Sequence, residues 1–258
     1  MPSLDKKPMI EAFLVPIVLL SQVERQEMFY LFNTHFEEVN RQQFEADLSN
    51  KQWTVLLKQE GILKGFSTLR FYEAVLKDEP VTIVYSGDTI TDPSIWSSPV
   101  LAKAWIAAIQ EIHGHRQERL FWLLISSGYR SYRFLTTFAK EFYPRYDRQT
   151  PTEVAAFMQH IATQQFGEFY HPTEGIVRFA NPQILRSQLC TIAVEKLQDP
   201  DIAFFVQKNP GHINGDELVC LTEFTQANLT SAGLRMWKSS YPLHISSKMV
   251  SSVEPVLV

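Results

Sequence analysis

The sequence predicts an α/β fold: a mixed central sheet with helices on both faces. Three observations predict it. Apolar or β-rich runs at 12–20, 53–58, 62–75, 81–91 and 120–126 read as strands. Stretches of helical spacing at 22–36, 40–48, 101–112 and 129–143 are interspersed with them. Three strands follow one another without a helix, and strands then alternate with helices, the order of a mixed sheet.

The first strand, 12–20, lies in an apolar run that Glu11 and Pro16 interrupt. That run is too short to span a bilayer and lacks a small-residue cleavage site, so a buried strand in a soluble, cytoplasmic chain is expected. Ser21 and Glu24 form an S-x-x-E capping box ahead of a helix with Met28, Phe29, Leu31, Phe32 and Phe36 on its apolar face. A more polar helix follows at 40–48. The runs 53–58 and 62–75 form a hairpin about Glu60-Gly61. After the strand at 81–91, Pro99 opens the helix at 101–112. The unbroken apolar run 120–126 is a central strand, Gly128 closes it, and Pro144 stops the helix at 129–143.

Beyond residue 150 the character changes. Thr150 as N-cap and Pro151 at the first position start a helix over 151–165. A short strand at 176–179, a helix at 182–197, strands at 202–207 and 217–224, and a helix at 228–237 follow. Residues after 241 have no clear period and read as a loose tail. The expected organisation is one domain over 1–240, with a helical insertion at about 150–200 before the last two strands, and a tail over 241–258.

Composition excludes several classes. Over 258 residues the apolar fraction is 45% and the net charge −4, with no basic stripe for nucleic acid. Two distant cysteines, Cys190 and Cys220, make neither a disulfide framework nor a metal set. His113 and His115 flank Gly114 at a helix end and read as a solvated C-cap. No metal, permanently bound cofactor or integral membrane span is expected.

The segment 80–105 runs strand, loop, helix, an order that aims free backbone N–H groups and the helix dipole at an anion. With that segment in place, the order β-α-α-β-β-β-α-β-α resembles the GNAT superfamily of acyl-CoA-dependent N-acyltransferases, whose core ends in two more strands. Thr91-Asp92-Pro93 falls where that family has V-D-P, and Ile95-Trp96 where it has Y-R. Its Q/R-x-x-G-x-G/A glycines fall on Ser97, Pro99 and Leu101, so both glycines and the arginine are absent. The glycines let backbone N–H groups approach a diphosphate, and Pro99 removes a further donor. Two readings follow. In one, an acyl-CoA or an acyl-phosphopantetheine carrier protein serves as co-substrate, held mainly through its pantetheine arm along the strand 81–91, with the Ser97 and Ser98 hydroxyls suiting a single phosphate. In the other, donor binding is lost, and the chain is a non-catalytic acyl-, lipid- or carrier-binding module. A homodimeric regulatory or scaffold module is a third class.

The resemblance implies an N-acyltransferase moving an acyl group, of medium or long chain where the pocket allows, to an amine of an amino acid, polyamine or peptide. Such chemistry needs a base, an oxyanion site and an acid for the thiolate. Asp88 is the candidate base: a carboxylate in an otherwise apolar strand, two residues from Ser86 and on the same face by alternation. Its bland alternative is a structural acceptor for the Ser86-Gly87 loop. Gly87 marks a bulge, which the family uses to splay its fourth and fifth strands. Tyr132 is the candidate acid, with Tyr129 and Tyr143 as competitors and aromatic packing as the alternative for each. His171, after the aromatic segment 166–170, is a further candidate base. Donor contacts are expected from Ser86, Thr89, Ile90, Thr91, Ser97, Ser98 and Val100. Arg130 and Arg133, three apart on one helix, are candidates to hold a phosphate or an acidic carrier, the alternative being a solvated face paired with Glu141 or Asp147.

Overall fold

The computed structural model describes residues 9–246. Strand β1 (Ile10–Pro16) leads through one 3-10 turn into helix α1 (Gln22–Asn33). The capping box forms: the Glu24 N–H donates to Ser21 Oγ at 3.2 Å and the Ser21 N–H to Glu24 Oε2 at 3.0 Å. A short strand β2 (Phe36–Glu37) separates α1 from α2 (Arg41–Ser49), whose cap Asn40 accepts from the N–H groups of Gln42 and Gln43. Strands β3 (Trp53–Gln59), β4 (Ile62–Leu76) and β5 (Glu79–Thr91) form an antiparallel meander. Its turns, Glu60-Gly61 and Lys77-Asp78, hold positive φ at all four residues, the geometry that matches strand twist.

Helix α3 (Val100–His113) crosses over to β6 (Arg119–Ser126), which pairs parallel with β5, and α4 (Tyr129–Phe138) follows. Then come α5 (Thr152–Phe166), β7 (Tyr170–His171), β8 (Ile176–Val177), β9 (Ile184–Leu185) and α6 (Ser187–Cys190). The chain continues with α7 (Pro200–Lys208), β10 (Glu217–Glu223), α8 (Ser231–Trp237) and β11 (Leu243–Ile245). The nine-stranded sheet has the order β11-β1-β3-β4-β5-β6-β10-β8-β7, and β2 pairs with β9 apart from it. On one face Val84, Trp122, Leu124 and Cys220 pack against α3, α4 and α7. On the other, α5 covers Ile83, Leu123 and Val219, while α1 and α2 cover Leu56, Phe66 and Ile90.

Four expectations are corrected. Residues 202–207 are helical, in α7: Asp199 caps it, Pro200 takes the first position, and Ile202 and Phe205 bury one helical face. The helix expected at 182–197 is replaced by β9, α6 and a 3-10 turn, because Ile184 and Leu185 pair with β2. Helix α4 ends at Phe138, since the chain beyond turns to bridge Leu229 and Leu221. The supposed loose tail contributes β11, parallel to β1; residues 247–258 lie outside the described part.

Candidate active site

Strands β5 and β6 pair from Val81↔Arg119 to Ser86↔Leu124, and then part. β5 runs on to Thr91 with only β4 beside it, while β6 continues against β10. A bulge lies where they part: Ser67 pairs with Thr89 and Leu69 with Ser86, so Thr68 faces both Gly87 and Asp88. A Cβ at position 87 would stand 2.5 Å from Thr68 Oγ1 and 2.6 Å from Lys51 Cε, so a side chain there would displace both neighbours.

The extra residue reverses the alternation expected for Asp88. Ser86 faces α3, where its oxygen accepts the indole N–H groups of Trp122 at 2.9 Å and Trp105 at 3.2 Å. Asp88 faces the other way, toward Asp47 on α2 and Lys51 just beyond it. The two residues thus line opposite ends of a cavity of about 180 Å³ that passes through the fork. The α3 end is apolar, with Leu101, Trp105, Ile106, Phe134, Phe138 and Phe224. The α2 end carries Asp47, Lys51, Tyr85, Asp88 and Glu217.

A parallel pair that forks at a bulge, with a helix after each limb, decides the architecture. The chain has the GNAT fold. Among solved structures it is similar to an aminoglycoside N-acetyltransferase in complex with CoA, at 12% identity and TM-score 0.36, over 63% of this chain and 90% of that one. It is similar to an acetyltransferase of Trypanosoma brucei at 17% identity and TM-score 0.38, over 55% and 98%. A GNAT family N-acetyltransferase of Escherichia coli in complex with CoA matches at 11% identity and TM-score 0.37, over 52% and 71%. No family profile and no curated protein matches the chain. Likenesses this distant say nothing of substrate, so the chemistry of this GNAT-fold protein rests on its own residues.

Burial in the cavity wall raises the Asp88 carboxyl to about 6, with Lys51 opposing and Asp47 adding to the rise. Burial, then the charges of Asp88 and Asp47, raise Glu217 further, to about 8. The same crowding keeps the Tyr85 phenol protonated, well above its ordinary range. Glu217 was missed in the sequence reading, although it heads the apolar strand β10 much as Asp88 interrupts β5. Asp47 and Lys51, four apart at the end of a polar helix, gave no signal of their own.

The tyrosine and histidine candidates lie outside the lining of the cavity at the fork. Tyr132 is fully buried among Phe142, Phe204 and Phe205, and its hydroxyl donates to the Pro144 carbonyl at 2.9 Å. That places it in the core beneath α7, outside the cavity lining, and burial pushes its pKa up. Tyr143 bonds to Glu141 and Tyr129 packs beside Arg130; neither lines the cavity. His171 sits in the edge strand β7, beyond β10 and β8, and so away from the fork.

The donor contacts divide. Ser86, Thr89 and Ile90 line the cavity, with the Thr89 hydroxyl bonded to Ser67 Oγ at 2.8 Å. Ser97, Ser98 and Val100 line a separate shallow hollow of about 340 Å³ with Lys103 and Tyr241. Their loop is bonded to itself: Ser98 Oγ takes the Val100 N–H at 3.3 Å, and the Thr91 carbonyl takes the Trp96 indole N–H at 2.8 Å. Arg130 stacks over Trp96 and Tyr129 and donates to the Leu189 carbonyl at 2.9 Å. Arg133 is held instead by Asp199 at 3.5 Å, so the two arginines do not form one anion site.

A strap crosses the α2 end. It leaves β8, passes Phe179 and Asn181, and reaches the α1–α2 connection through the β9–β2 pair. Gln43 donates to the Asn181 carbonyl at 3.1 Å, and the Arg186 guanidinium to the Asn33 carbonyl at 2.8 Å. Among the described residues no group of three acidic, His or Cys side chains is placed to hold a metal ion, and no helix is long and apolar enough to cross a membrane.

Proposed function

We propose that this chain transfers an acyl group from a CoA-type thioester to an amine. The observation that carries the reading is the fork: a free β5 edge, an apolar pocket on one side and a carboxylate with a raised pKa on the other, all in one cavity. The pantetheine arm pairs along β5 between Gly87 and Thr91, where β6 no longer does. The acyl chain enters the α3 end, where each buried CH₂ contributes about 0.8 kcal/mol, which favours a chain longer than acetyl. Arg130, stacked on Trp96, supplies a cation for the donor phosphate, and the self-bonded loop at 92–99 takes no diphosphate cradle's part.

Asp88 removes a proton from the acceptor amine. With Tyr132 buried elsewhere, the hydroxyl for the developing charge on the donor is that of Ser86. Two indole N–H groups occupy its oxygen, which strengthens its own proton as a donor. Ser86→Ala is expected to lower kcat at least about tenfold. It also leaves two buried N–H groups without an acceptor, at a cost of about 1–3 kcal/mol in stability. Paired kcat and melting measurements check both, and an unchanged kcat removes Ser86 from the chemistry.

A binding module without catalysis predicts Asp88 and the candidate tyrosines away from the cavity; the tyrosines are outside its lining, and Asp88, which lines it, favours the catalytic reading. The test is a panel of acyl-CoA and acyl-carrier thioesters, acetyl to long chain, with a simple alkyl amine. Amine-dependent release of free thiol with a matching amide mass supports the reading, and the best chain length and carrier name the donor. Neither binding nor turnover of any thioester overturns it.

A further inference from the structure

The α2 end of the cavity is built for charge that the protein itself does not supply. Asp47, Asp88 and Glu217 line it, and no side-chain hydrogen bond contributes to the ionisation of any of the three. Among the described lining residues Lys51 is the one Lys, Arg or His. Its ammonium donates to the Asp47 backbone carbonyl at 3.2 Å and lies 5.3 Å over the Tyr85 ring. Three carboxylates against one ammonium leave two negative charges unmatched when all are ionised. The three are not placed to converge on one metal ion, so the unmatched charge suits an extended cation.

A second observation points to the same occupant. Tyr85 is 6% exposed and lines this end of the cavity. Its ring is buried, and burial and the nearby carboxylates, with no protein hydrogen bond, act on its phenol. Its phenol oxygen, at the cavity wall, is an acceptor for an ammonium N–H. The strap adds apolar surface. It is fastened at Asn181 and at Arg186, and its Phe179 joins Phe36 in the cavity lining. Both rings offer apolar contact to the methylenes of an alkyl amine.

We propose that the acceptor is a small alkyl amine with two or more positive charges, an α,ω-diamine or polyamine. The proposal rests on the acyl-transfer reading and names its acceptor. One ammonium gives a proton to Asp88, and its nitrogen forms the C–N bond as the C–S bond breaks. The second proton lost from that nitrogen leaves on sulfur as the free thiol, and Asp88 returns its proton to solvent. The remaining ammonium keeps its charge against Asp47 and Glu217, with Tyr85 accepting a hydrogen bond.

Calorimetric titration of the full chain, without thioester, at pH 8 and low salt tests this with 1-aminobutane and 1,4-diaminobutane. The diamine is expected to bind at least about tenfold more tightly, with an advantage that falls as salt is added. Asp47→Asn, checked for folding by its melting curve, is expected to bring the two amines close to equal affinity. Tyr85→Phe is a second variant that keeps the ring and removes the acceptor, and it is expected to weaken the diamine. Equal binding of the two amines by the native chain overturns the proposal, as does a preference that survives in Asp47→Asn. Amide formation from the monoamine without any diamine preference overturns it too, while leaving acyl transfer standing. A diamine preference with no amide from any thioester supports the cation site and defeats the acyl-transfer reading instead.

Discussion

Asp88→Asn is expected to lower kcat by about 10²–10⁴-fold with little change in melting temperature. The substitution keeps shape and removes only the ability to take a proton. The native carboxyl titrates near 6, close to the working range of a general base. Its charged form does the work, so native kcat/KM is expected to fall as pH drops through about 6, where Asp88 becomes protonated. An acceptor amine loses its own proton only at higher pH and tilts the profile the same way. The comparison with Asn separates the two: the variant keeps the amine's slope and loses the break near 6. The effect depends on the bulge, because Gly87 is what lets two residues oppose Thr68 and turns the carboxylate toward α2. A variant within threefold of native kcat would reduce Asp88 to a structural role.

Local signals carried much of this architecture. Ser21 with Glu24, the two-residue turn at Glu60-Gly61 and the glycine of the bulge all act within a few residues, and each was readable as a cap, a turn or a kink. The side a residue faces was harder to read. Asp88 was found, but simple alternation put it beside Ser86, since the bulge changes phase by one residue. The surroundings of Tyr132 were hard to read for a related reason. The buried face of α4 is set by α7, and α7 was read as a strand because Phe204, Phe205 and Val206 outweighed the Asp199-Pro200 cap ahead of them. The acidic end of the cavity joins α2, β5 and β10, segments far apart in the chain, over which runs a strap fixed by the β2–β9 pair. No periodicity within one segment records a pairing of that kind. This is why Glu217, Asp47 and Tyr85 emerged only once the sheet was assembled.

Glu217→Gln is the second large effect, and it is on stability. Surrounding protein and the neighbouring carboxylates raise Glu217 from the ordinary 4.5 to about 8. The folded state therefore holds a proton there that the unfolded chain has already released, between pH 4.5 and 8. Stability from this group is fully present below the unfolded value and is lost as pH rises through the folded one. The native protein without ligand is expected to lose melting temperature from pH 5 to pH 9, and Gln, neutral throughout, to flatten that decline. At pH 9 the variant is expected to be more stable by on the order of 2 kcal/mol, or about 4–8 °C, a figure kept well below the full shift because Asp88 and Asp47 titrate with it. Melting curves of both proteins across that range check it, and parallel curves would mean that Glu217 ionises freely in the fold. The same substitution is expected to weaken a cationic acceptor. A carboxylate that lowers stability when empty and gains a partner when amine arrives makes binding and folding pull on one charge, so an added diamine should raise the native melting temperature most at the alkaline end, where Glu217→Gln gains least from it.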